Sequence, residues 1–368
     1  MPAHYAIRNI VFTLDVSVVC WLVDALVNNM KNIVFTLLGW LLLSPGVIAN
    51  DAPFINATMT VLDERFYRFI DPDSKIERLA TPPGQEFGWA EGPVWVESLK
   101  SLLFSDLADD TIYRWNETSG ISVYLHPSGH PVDDAGHAWR GANGLAVDGQ
   151  DNLLLAQQSN RTLSRMQAGL NNPQPRYKVL VDRYRGKRIN SPNDLVLHSS
   201  GDIYFTDPPY GLSGFEKSPD IELDFFGVFR LTPQGQLVVI DKTLEKPNGI
   251  ALSTDQKTLF VSNSVADRPQ IVAVDIDSDG NASGSRLWFD ASSLAAQGPG
   301  STDGMTMHPS GFLFISIPNG LGILSPQGKL IGKIALGQIT NMAFDDSFAY
   351  LYLTAPQRIL RLKIKPVD

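Results

Sequence analysis

NGIALSTDQKTLFVSN, residues 248–263, reads as strand, polar turn and strand within sixteen residues. Ile250 and Leu252 alternate with smaller side chains, Asp255-Gln256 interrupts, and Leu259 and Val261 resume the alternation. A period of two places one set of side chains on each face of a pleated strand. The Asn248-Gly249 dipeptide at its head is, taken alone, a hairpin-turn signal, because both residues accept positive φ at little cost.

The same unit recurs along the chain. Glu91-GPVWVESLKSLLFSD, Asn143-GLAVDGQDNLLLAQ, Asn193-DLVLHSSGDIYFTD, Asp303-GMTMHPSGFLFIS and Asn341-MAFDDSFAYLYLTA share its order of lead residue, strand, turn and strand. Their starts are separated by 52, 50, 55, 55 and 38 residues. Further hairpins fall between copies, as in Gly227-VFRL-Thr232-Pro-Gln-Gly235 and Gly322-IL-Ser325-Pro-Gln-Gly328, where Pro in second place and Gly in fourth suit a type I turn. Each copy therefore supplies about four short strands, and a period near 50 residues of such units predicts a β-propeller. The expectation is an all-β, six-bladed propeller of four-stranded antiparallel blades around a central metal-binding channel. The last copy is short, so its missing outer strand is expected from residues 64–80, either ERFYRF or KIERLA. That clasp would remove free sheet edges. One domain is expected over 64–366, preceded by a linker over 50–63.

In a propeller the innermost strand of each blade begins beside the channel. Glu91, Asn143, Asn193, Asn248, Asp303 and Asn341 then converge, and all six carry a side-chain oxygen. Six such oxygens suit either a polar plug of the channel or a cage for a hard cation such as Ca2+, which takes carboxylate, amide and water oxygens. No Cys or His occupies these positions, which disfavours soft-metal chemistry.

The chain resembles the gluconolactonases, within the senescence-marker-protein/gluconolactonase superfamily of calcium-dependent six-bladed propellers. The resemblance covers about residues 70–365. It is carried by Glu91-Gly-Pro-Val-Trp95, Gly141-Ala-Asn-Gly-Leu-Ala-Val-Asp148, Gly186-Lys-Arg-Ile-Asn-Ser-Pro-Asn-Asp194, Tyr204-Phe-Thr-Asp-Pro-Pro-Tyr-Gly211, Pro247-Asn-Gly-Ile250 and Asp303-Gly-Met305. It implies that Glu91, Asn193, Asn248 and Asp303 ligate the metal, that Asn143, Asp207 and Tyr210 lie near substrate, and that Asn341 is not a ligand. The activity implied is hydrolysis of a sugar-acid lactone such as glucono-1,5-lactone. One divalent cation, Ca2+ before Mg2+, Mn2+ or Zn2+, would polarise the carbonyl, with Asp303 or a metal-bound hydroxide as base. Two other readings stay open: a paraoxonase- or organophosphatase-like esterase on the same cation site, and a non-catalytic propeller that binds a ligand.

No rival nucleophile is visible: G-x-S-x-G, H-E-x-x-H and a catalytic cysteine are all absent. His126, His130 and His137 fall in HPSGHPVDDAGHAWR, a segment read as a solvated loop that leads into Arg140-Gly-Ala-Asn143. His137 is the one member placed to move a proton at the channel mouth. Among Trp95, Trp115, Trp139 and Trp288, Trp139 is the candidate for the entrance, and the other three are expected in blade packing.

Bulk composition narrows the partners. The chain has 368 residues, 43% hydrophobic and 19% charged, with a net charge of −9. That charge opposes nucleic-acid and anionic-lipid binding, which need a basic face. A small-molecule lactone is the expected partner of a monomer or weak homo-oligomer. Met30-Lys-Asn followed by IVFTLLGWLLL and Ser44-Pro-Gly-Val-Ile-Ala49 reads as a secretory signal peptide over 30–49, with residues 1–29 upstream of the natural start. Secretion or periplasmic export with no membrane attachment after cleavage is the first expectation, and anchoring through the N-terminal segment the second. Asp15 and Asp24 make residues 9–28 a poor membrane span. Cys20 is the single cysteine, so no internal disulfide forms.

Overall fold

The structure, a computed structural model, describes residues 53–79, 87–129 and 139–366. The signal-peptide segment 30–49, the stretch before it, His130 and His137 lie outside the described residues.

Six antiparallel sheets form the predicted propeller, and within each the strands run outward from the axis largely in chain order. Blade one comprises Ala90–Val96, Ser101–Asp106, Thr111–Asn116 and Gly120–Leu125. Blade two runs from Ala142–Val147 through Leu153–Gln157 and Thr162–Met166 to Tyr177–Val181. Leu195–Leu197 opens blade three, Pro247–Leu252 blade four, Met305–Met307 blade five and Asn341–Phe344 blade six. The turns Thr232–Gly235 and Ser325–Gly328 close as expected, Gly235 N–H donating to Thr232 O and Gly328 N–H to Ser325 O at 2.8 Å each.

A blade is covered on both faces by its neighbours, so its second strand is buried throughout, as in Ser101–Asp106 and Leu153–Gln157. Apolar residues therefore form one cluster per blade interface. Leu103, Leu145 and Leu155 fill the gap between blades one and two, and Tyr204, Ile250 and Val261 that between three and four. Leu79, Phe104 and Tyr352 seal blade six against blade one. Burial of a full aliphatic side chain is worth about 1.5–3 kcal/mol, so these six seams are the main source of cohesion.

Closure follows the second of the two alternatives. Ile76–Leu79, from KIERLA, is the outer strand of blade six, pairing Leu79 with Ile359 and Ile76 with Leu362. ERFYRF instead forms a 3-10 turn, Glu64–Arg68, capped by the Asp63 carboxylate, which accepts from Arg65 N at 3.0 Å. Its Phe66 is fully buried in the cluster between blades five and six.

The expectation of a linker over 50–63 needs correction. Phe54–Ile55 pairs with Ile76–Glu77, and Thr58–Val61 adds a fifth strand to blade five against Gly332–Ala335. The Thr-Met-Thr-Val alternation was the local signal, and these strands cap edges that would otherwise stay open. The clasp is also pinned by charge. Arg361 Nε and Nη2 donate to Glu77 Oε2 at 2.9 and 2.6 Å, and Nη1 donates to Glu117. The same guanidinium lies over Trp115 and Tyr350, 5.0 and 4.7 Å from the ring centroids.

Candidate active site

Glu91, Asn143 and Asn248 owe their direction to a repeated backbone irregularity. Pairing with the second strand shifts register between Glu91 and Val94, between Ala142 and Leu145, and between Pro247 and Ile250. A bulge re-aims a side chain that regular pleating would send into a face. Asn248-Gly249 is therefore no hairpin turn. Gly249 is needed for close approach: a Cβ there would stand 2.1 Å from Asp303 O of the next blade. Gly92 packs on Asn143 O in the same way, at 1.9 Å and with φ +48°.

Buried hydroxyls fasten these inner strands, three of them between neighbouring blades. Ser105 Oγ donates to Asn143 O at 2.8 Å and Thr206 Oγ1 to Asn248 O at 2.6 Å. Within blade five Ser316 Oγ accepts from Asp303 N at 2.8 Å, and Thr340 Oγ1, just before the inner strand of blade six, ties it to blade one by donating to Ala90 O at 2.7 Å.

The side chains so aimed meet in an axial cavity of about 400 Å³. Glu91, Asn143, Asn193, Asn248 and Asp303 line it, together with Tyr210, Gln158, Ser264, Ser301 and Gln338. Trp89, Trp139 and Leu107 supply an apolar wall, the two indoles 4.9 Å apart and tilted by 56°. Burial, reinforced by the mutual repulsion of Glu91, Asp303 and Asp194, pushes the Glu91 and Asp303 carboxyls well above the ordinary range. The Asn248 amide eases Asp303, and Gly92 N–H donates to Glu91 Oε2 at 3.1 Å. No Lys, Arg or His among the described residues lines the cavity. Nor do three His, Cys, Asp or Glu side chains among them cluster into a metal site by themselves. The donor set is thus two carboxylates plus neutral amides without a counter-charge, a composition that fits a hard divalent cation.

Asp194 was not singled out from the sequence. It stands where four of the six repeats have glycine, and that departure was the available signal. Its carboxyl, raised to about 6 mainly by burial, accepts from Leu195 N at 2.9 Å and from Asn341 Nδ2 at 3.3 Å. Blades three and six face each other across a six-membered ring, so this bond braces the axis. The other end of the Asn341 amide is also engaged, its Oδ1 accepting from Met342 N at 2.8 Å.

Asp207, the last residue of the strand Ile203–Asp207, and Tyr210 in the turn after it part company. Tyr210 lines the cavity, its hydroxyl pushed up by burial and by Asp303 so that it stays protonated. Asp207 does not reach the cavity: its Oδ2 accepts from Asn190 N at 2.7 Å and Asn190 Nδ2 at 3.0 Å. Ser191 Oγ meanwhile accepts from Gly211 N at 2.9 Å, so the loop is tied down on both sides of Tyr210. The sequence placed Asp207 near substrate through its neighbours, whereas its side chain faces the blade. His126, the described member of the histidine segment, contacts Thr111 Oγ1 at 3.0 Å and not the cavity.

A six-bladed propeller with an acid-and-amide floor at its axis and an indole-walled mouth defines a class of small-molecule enzymes and binders. Within it the chain belongs to the family described as SMP-30/Gluconolactonase/LRE-like region, whose model matches residues 89–357. It is 36% identical over 320 residues to a gluconolactonase of Zymomonas mobilis, covering 83% of this chain and 86% of that one. A solved gluconolactonase structure from Xanthomonas campestris superposes with a TM-score of 0.70 at 29% identity, over 85% of this chain and 97% of that one. Lactonase drp35 of Staphylococcus aureus is 36% identical over 86 residues, 23% of this chain and 24% of that one.

Proposed function

We propose that this propeller hydrolyses a sugar-acid lactone of the glucono-1,5-lactone type, with a divalent cation held by Glu91, Asn193, Asn248 and Asp303. The coarser statement rests on kinship: related over most of both chains to a gluconolactonase, the protein is a lactone-hydrolysing enzyme acting on a small cyclic ester. The observation that supports the finer one is the uncompensated pair Glu91 and Asp303 at the floor of a cavity rich in amides and hydroxyls.

When bound, a cation such as Ca2+ would supply Lewis-acid polarisation of the lactone carbonyl and charge for the developing oxyanion. The chain's own groups do the rest. Asp303, kept ionised beside that charge, accepts the proton of the attacking water at its carboxylate. Tyr210, protonated at neutral pH, offers a hydrogen-bond donor from the rim, and Asn143 offers an amide to the ring substituents. Trp89, Trp139 and Leu107 cover the apolar face of the sugar ring and exclude bulk water.

Proton release on a panel of aldonolactones, lipophilic lactones and a phosphotriester, with and without chelator, tests the reading. Turnover confined to sugar lactones, lost on chelation and restored by Ca2+, is expected. Chelator-resistant turnover overturns the cation's role, and preference for the phosphotriester or lipophilic lactones moves the assignment to the esterase reading.

A further inference from the structure

We propose that Gln158 and Ser301 form a two-sided clamp that reads ring hydroxyls, selecting polyhydroxylated lactones over bare ones; the inference rests on the sugar-lactone reading above. Among the described residues, four buried side-chain atoms without a hydrogen-bond partner belong to residues of this one cavity: Asn143 Oδ1, Gln158 Oε1, Gln158 Nε2 and Ser301 Oγ. Leaving a buried donor or acceptor unmade costs about 1–3 kcal/mol, so such groups are rare unless a ligand or water completes them.

Gln158 is only 1% exposed, yet neither end of its amide is bonded. Its backbone, by contrast, is fixed. Gln158 N donates to Gly141 O at 3.1 Å, and Gln158 O accepts from Arg161 N at 3.2 Å. Gly211 presses on it so closely that a Cβ there would lie 2.8 Å from its carbonyl atoms. The residue follows the second strand of blade two, whereas Ser301 sits in the segment entering blade five. Blades two and five face each other in a ring of six, so the two side chains address a ligand from opposite sides of the axis. An amide offers donors and an acceptor, and a serine hydroxyl offers both, which is the complement of a polyol. A site built for hydroxyls discriminates against an analogue that lacks them far more strongly than an apolar pocket discriminates by size.

The test compares glucono-1,5-lactone with δ-valerolactone, the same ring without hydroxyls. Gln158→Leu and Ser301→Ala are each expected to lower the ratio of their kcat/KM values about tenfold, mostly through KM for the sugar lactone. An unchanged ratio, including equal losses on both substrates as a purely structural role would give, overturns the clamp. Wild-type protein that turns over neither lactone would overturn the sugar-lactone reading instead. The clamp is then decided by quenching of the cavity tryptophans with D-gluconate against 5-hydroxypentanoate: equal affinities for wild type sink it, and preference for gluconate that Gln158→Leu abolishes upholds it.

Discussion

The molecule treats its acids oppositely at the clasp and on the axis. At the clasp Glu77 meets Arg361, which also reaches Glu117 and stacks on Trp115 and Tyr350. On the axis Glu91, Asp194 and Asp303 repel one another, eased by amides and backbone N–H groups. A compensated charge cluster holds chain to chain, whereas an uncompensated one stores affinity for something outside the chain. The clasp balances its own charges, and among the described residues the floor does not.

The hardest blow to this contrast falls on the base. Asp303→Asn is expected to cut kcat about a thousandfold on a sugar lactone while leaving some cation bound, since general-base contributions are of order 10²–10⁴. Near-full activity in that variant removes Asp303 from the mechanism. The clasp should respond in stability alone. Arg361→Met is expected to cost about 2 kcal/mol in denaturant unfolding, a value reduced from that of a fully buried pair because Glu77 is partly exposed. Its kcat should match wild type, and a matching loss of turnover would mean that the clasp also shapes the site.

A smaller effect of opposite sign belongs to the floor. Glu91→Gln removes a repelled carboxylate yet keeps the shape and the Gly92 contact, so the cation-free protein should melt about 2 °C higher at pH 8. A lower Tm would show Glu91 to be a structural acid like Glu77. The smallest test separates Asp207 from the cavity. Its carboxyl is raised to about 7, chiefly by burial. Protonation therefore favours the fold: the contribution is complete below the unfolded value near 4 and is lost as pH rises through about 7. Wild-type Tm should fall between pH 5 and 8 more than that of Asp207→Asn, and identical slopes would contradict the assigned burial effect.

Most of the fold was legible because a propeller repeats its information. Six copies of one strand–turn–strand pattern announced six blades, and the lead position of each copy pointed at the axis. Glu91, Asn143, Asn193, Asn248 and Asp303 do share one cavity wall. What escaped lies where the period says nothing. Gln158, Ser301 and Gln338 enter from connecting segments, and Trp89 and Leu107 flank strands without belonging to the repeated motif. Asp207 ends the strand Ile203–Asp207 and Tyr210 follows three residues on in the turn, and sequence proximity could not tell that one faces the blade and the other the cavity. Asn248-Gly249 carried a true composition signal whose cause is the tight contact between neighbouring inner strands.

The clasp also imposes an order of events in time. Blade six joins Ile76–Leu79 to Arg358–Lys363, strands separated by nearly the whole domain in sequence. The ring cannot close until that late strand has been synthesised, and the floor draws on blades one, three, four and five at once. A nascent chain still emerging from the ribosome therefore holds its acids apart. The assembled floor and catalysis become properties that arrive together, at the last strand, instead of accumulating blade by blade.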